Sequence, residues 1–106
     1  MTSLVTNSHI KKLLDYDPDT GVFIWHTRPV RKNYQNFDIF WNKKFANKKA
    51  GSIHSFKLNK TDYLRIDIYD RHYAAHRLAW LYMTGKWPID QIDHIDGNGL
   101  NNKWNN

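Results

Sequence analysis

Apolar residues change their spacing several times along the chain, and each spacing predicts an element. Over 8–16, Ile10, Leu13 and Leu14 recur at i, i+3 and i+4, one face of a short helix with Ser8 as its N-cap. Asp17-Pro18-Asp19-Thr20-Gly21 then reads as a turn, because Pro18 presets φ and Gly21 admits positive φ. The apolar run 22–25 predicts a strand, and 51–58 predicts a weaker one. Between 63 and 69 the pattern alternates. Leu64, Ile66 and Ile68 point one way; Tyr63, Arg65, Asp67 and Tyr69 point the other, as in a half-buried strand. Asp70-Arg71 reads as a tight reversal, with His72-Tyr73 opening a return strand. Helical spacing returns over 74–84, where Leu78, Leu81 and Tyr82 share a face with Ala75 and Ala79 beside them. Gly85 follows at C′ and Pro88 beyond it. The sum is one α+β domain, a small antiparallel sheet with packed helices.

Residues 26–50 break this regularity. Lys and Arg alternate there with Tyr34, Phe37, Phe40, Trp41 and Phe45, and Pro29 opposes a long strand. A long basic loop or insertion is expected, with a short helix near 36–46. Basic side chains steer phosphates and interleaved aromatics can stack on bases, or the aromatics can anchor the loop to the core. The single domain, 1–106, thus divides into 1–25, the insertion 26–50, and 51–106.

Charge sharpens the picture. Sixteen Lys and Arg against 10 acids give +6 and a pI near 9.6, a balance that suits a polyanion such as DNA. Arg28, Arg31, Lys32, Lys43 and Lys44 are candidate phosphate contacts in the insertion; Arg77, Lys86 and Lys103 are candidates near the C-terminal motif. Cysteine is absent, which excludes disulfides and thiolate-bound zinc and leaves His, Asp and Asn as metal ligands. No apolar run approaches the ~18 residues of a membrane span, and the start lacks a signal-peptide core. A cytoplasmic protein is expected.

The chemistry concentrates near the C-terminus. Asp93-His94 pairs a hard oxygen ligand with a potential base, and phosphodiester hydrolysis needs both. Taken alone, the pair reads as readily as turn or surface groups. Asp96-Gly97-Asn98-Gly99 is a hairpin-type turn. His76 reads as a residue packed on or bonded to that hairpin, with phosphate contact as the other role. His9, His26, His54 and His72 show no ligand spacing. Trp80, Trp87 and Trp104 read as core.

The tract from His76 to Asn106 resembles the HNH endonuclease family, in the form common in phage and mobile-element proteins. The likeness rests on His-Arg-Leu at 76–78, Gly85-x-Trp87-Pro88, Asp93-His94-x-Asp96-Gly97, and Asn101-Asn102 before Asn106. The upstream LLDYDPDTGVFIW is similar to the usual start of such proteins. Residues 10–25 and 51–106 share the likeness; 26–50 has no counterpart. The resemblance implies a ββα-metal hairpin that binds one divalent ion, Mg²⁺ or Mn²⁺, and cuts DNA to a 5′-phosphate and a 3′-hydroxyl. It makes His94 the general base, Asp93 the first metal ligand, and Asn106 the central Asn that ties the hairpin loop and orients the base. The family's last metal ligand would lie beyond Asn106, so a hairpin without its last helix, weak metal binding and weak or no cleavage are expected. A catalytically inert phage protein that binds DNA or blocks a host protein is the alternative.

Overall fold

The first helix, α1 (Asn7–Leu13), opens at Thr6, whose hydroxyl accepts the His9 amide at 3.2 Å. The computed structural model describes residues 4–55, 62–69, 71–89, 94, 95 and 98–106. Thr6 therefore takes the capping role expected of Ser8. Ile10 and Leu13 form the buried face of α1. The helix ends earlier than the spacing over 8–16 predicts, because Leu14 enters strand β1 (Leu14–Asp17). That strand pairs antiparallel with β2 (Val22–Trp25), Leu14 opposite Trp25 and Asp17 opposite Val22. Ladder bonds and the burial of Leu14 and Tyr16 outweigh one more helical turn. The turn between the strands holds Gly21 at φ 75°, a conformation that costs glycine nothing.

The insertion contains a 3₁₀ turn (Lys32–Tyr34) and α2 (Gln35–Phe45), close to the helix expected near 36–46. The one buried side chain of α2 is Asp38. Arg31 surrounds its carboxylate with a backbone N–H at 2.8 Å and Nε and Nη2 at 2.9 Å each. Asn42 clasps the backbone of Arg28, accepting its N–H and donating to its carbonyl, each at 2.8 Å. Trp41 meets Trp25 edge-on at 5.4 Å. The insertion then returns along β2: Lys49 bridges Ile24, and Ala50 N–H donates to Phe23 O at 2.8 Å.

The Arg31 bonds hold the Asp38 carboxyl down at about 2, below the usual carboxylate range. A depressed carboxylate contributes stability above its unfolded pKa and loses it as pH falls through the folded value. Wild type should therefore exceed Asp38→Asn in urea midpoint near pH 6. The gap should close as pH drops from about 4 towards 2. A gap independent of pH would contradict this.

The second sheet runs β3 (Ser52–Ser55), β4 (Asp62–Ile68), β5 (Arg71–Ala74), all antiparallel in that order. Ile66 and Ile68 carry the inward face expected of the alternating run, with Leu64 half-buried. Ile68 pairs with Arg71, so the return strand starts one residue before His72. Residues 56–58 of the expected weak strand, and Asp70, lie outside the described residues. Helix α3 (Ala75–Thr84) follows at once and closes at Gly85, which sits at φ 83° and donates its N–H to Leu81 O at 2.9 Å. Asn7 Nδ2 donates to the carbonyls of Leu81 and Tyr82 at 2.8 and 3.2 Å, satisfying that helix end. Ile10, Leu14, Phe23, Ile66, Ile68, Leu78 and Leu81 meet in a shared core, as an α+β fold requires. Among the described residues no helix is long and apolar enough to cross a membrane.

Candidate active site

The described residues of 94–106 form neither strand nor helix; they make a loop closed on itself. Ile95 N–H donates to Asn106 O at 3.1 Å, Asn106 N–H to Lys103 O at 3.0 Å, and Asn106 Nδ2 to Asn101 O at 2.8 Å. The loop is pinned to the β1–β2 turn. Trp104 N–H reaches Pro18 O at 2.9 Å, and the Tyr16 hydroxyl donates to Asn102 O. Burial, helped by the Asp17 charge, pushes the Tyr16 phenol up to about 12, so it stays a donor. A Cβ on Gly21 would lie 2.2 Å from Asn102 C and 2.3 Å from Lys103 N, so only glycine admits this approach. Gly99 sits as closely on β4: its Cβ would lie 2.1 Å from Asp62 O. Asp96 and Gly97 of the expected hairpin turn lie outside the described residues.

A cleft of about 280 Å³ opens between this loop and α3. His76, Ala79 and Trp80, at i, i+3 and i+4, supply the helix wall; His94, Asn102 and Lys103 belong to the loop wall. The His76 and His94 rings meet edge-on, centroids 4.9 Å apart at 75°. His94 Nε2 lies 3.0 Å from Asn102 Oδ1. An amide oxygen only accepts, so in neutral His94 the proton sits on Nε2 and the lone pair on Nδ1. His76 Nδ1 is buried with no partner among the described residues. Burial first, then the nearby His94 and Arg77 charges, lowers His76 to about 4, so it is neutral at physiological pH.

The residues singled out in the sequence fare unequally. His94, Asn106 and Lys103 line the cleft. Asp93 lies outside the described residues. The amide on the His94 ring is that of Asn102, while the Asn106 side chain ties the loop through Asn101. The Arg28 guanidinium stacks 3.6 Å over Trp41, and burial lowers its pKa; Arg31 is committed to Asp38. Of the three arginines expected to contact phosphate, the two in the insertion are thus engaged within the fold, Arg31 with its side chain still half exposed. Lys32, Lys43, Lys44 and Lys86 are exposed, and Arg77 is half-buried on α3. Tyr16 and Asn102 are cleft residues the sequence reading did not place there, whereas His76, expected to pack on the motif segment, meets the His94 ring. Asn102 had a signal in the Asn101-Asn102 doublet, and His76 in the His-Arg-Leu motif. Tyr16 had none.

A family model described as HNH endonuclease matches residues 73–106. The stretch that supplies the helix and loop walls of the cleft is thus similar to HNH endonucleases. No curated protein and no solved structure matches the chain. The matched HNH segment spans both walls of the cleft but not Tyr16 or Gly21, on which its loop rests. Nuclease or DNA-related function follows in general, and HNH nucleases are in general divalent-metal dependent. Among the described residues no group of three His, Cys, Asp or Glu could hold an ion. The two imidazoles offer nitrogen and the amide oxygens carry no charge, whereas a hard cation such as Mg²⁺ is held chiefly through carboxylate oxygens. The described residues of the HNH segment alone therefore do not fit that ion.

Proposed function

We propose that this chain is an HNH-type, metal-dependent DNA endonuclease or the DNA-binding portion of one, hydrolysing phosphodiester bonds. The observation that supports this best is His94, set in the cleft with Nε2 engaged by Asn102 and its lone pair on Nδ1. A base so oriented takes a proton from water as the water attacks phosphorus. Neutral His76 beside it adds no positive charge that would disfavour proton uptake by His94. Asp93, next in the chain, is the proposed carboxylate ligand for Mg²⁺ or Mn²⁺, and Asn106 holds the loop that carries the base. Lys32, Lys43, Lys44, Arg77, Lys86 and Lys103 are the proposed phosphate contacts. A phage origin and a bacterial cytoplasmic setting fit the resemblance of the motif.

The test is supercoiled plasmid with Mg²⁺ or Mn²⁺, with and without EDTA. Nicking that EDTA abolishes and that Asp93→Ala removes is the expected result. Undiminished nicking in EDTA overturns metal dependence. Binding to DNA or to a host protein with no cleavage under any metal replaces the enzyme reading with the inert binder.

A further inference from the structure

Helix α2 is built inside out. Its fully buried residue is an aspartate, whereas Phe37 and Phe40 are 58% and 65% exposed. The helix docks through Asp38, Trp41 and Asn42, so the two phenyl groups are not needed for its attachment. Exposed Lys43 and Lys44 follow one turn beyond Phe40, at i+3 and i+4. The one acid of the insertion, Asp38, is neutralised by Arg31, so the outward charge of α2 is positive only. Apolar groups at i and i+3 stand roughly 5–6 Å apart. Stacked bases of a duplex strand lie ~3.4 Å apart along the axis, so the phenyl pair matches bases that have been drawn apart. A duplex also hides its base faces, which single strands offer to aromatic side chains.

We propose that α2 is a single-strand contact: Phe37 and Phe40 stack on unpaired bases while Lys43 and Lys44 hold the adjoining phosphates. The proposal rests on DNA as the partner but not on the chemistry at His94. A second copy docked face to face is disfavoured, since it would bring Lys43 and Lys44 of both copies together. The nuclease match on the same chain favours a nucleic acid over an anionic lipid surface as the polyanion.

The full chain is titrated against a labelled single-stranded oligonucleotide and its duplex, followed by fluorescence anisotropy. Far-UV circular dichroism of each variant confirms the fold. Phe37→Ser with Phe40→Ser should weaken single-strand binding by at least about fivefold and leave duplex binding unchanged. Phe37→Tyr with Phe40→Tyr should restore it. Lys43→Ala with Lys44→Ala should weaken both and lower the single-strand salt slope by roughly 0.7 per phosphate lost. Unchanged single-strand affinity in the serine variant overturns the proposal. So does an equal loss on the duplex, or a loss seen only with phosphatidylserine vesicles or in self-association. Plasmid nicking lost in His94→Ala reports separately on the nuclease reading, so either can fail alone.

Discussion

His94→Ala should reduce plasmid cleavage by about 10²–10⁴-fold while DNA binding persists. The imidazole is the group in the cleft with a lone pair directed by a neighbour, and alanine leaves water with no acceptor for its proton. Asn102→Ala should fall short of that loss. It removes the acceptor that fixes the proton on Nε2, so His94 samples both tautomers and only part of the population presents Nδ1. Asn102→Asp should keep the tautomer and retain more activity than alanine. Single-turnover nicking rates of the three variants decide the matter. Equal rates for wild type and His94→Ala would show that the imidazole is not the base.

Gly21→Ala should cost cleavage nearly as much, from a position outside the matched segment. Two penalties coincide at Gly21. Alanine at φ 75° carries roughly 1–2 kcal/mol of left-handed strain, and its Cβ would overlap the 102–103 peptide. The peptide carries Asn102, so relieving the overlap moves the amide that orients His94. A displacement near 1 Å at a reacting geometry is worth about 10²-fold. The core does not depend on this contact, so the thermal midpoint should drop by about 4–16 °C, the strain alone, with the transition still cooperative. Cleavage close to wild type in Gly21→Ala would show that the loop does not need the turn.

The parts of the fold that were legible in the sequence are those where spacing and boundary chemistry agree. Strand β2 and helix α3 are such cases, the latter ended by Gly85 in the left-handed conformation its position demands. The end of α1 was not legible, because Leu13-Leu14 satisfies a helical face and the start of a strand equally well. Only pairing with Trp25 chooses between them. The inverted character of α2 depends on Arg31 finding Asp38, a tertiary match that no periodicity encodes. At the cleft, His94 was readable from its neighbours. The choice of Asn102 over Asn106 as the amide on its ring depends on how the loop closes, and chain spacing does not carry that.

The bond from Tyr16 to Asn102 joins positions 86 residues apart. A contact of that span closes a long loop and forms late, after the local hairpins and helices that need little chain entropy. The 94–106 loop should therefore be among the last parts of the molecule to acquire its shape and the first to lose it. Hydrogen exchange should find the amide of Trp104 opening well before those of β4. Residues 73–106 expressed alone would lack the hairpin on which that loop sets, so the smallest stretch able to hold the cleft together is larger than the stretch that identifies it.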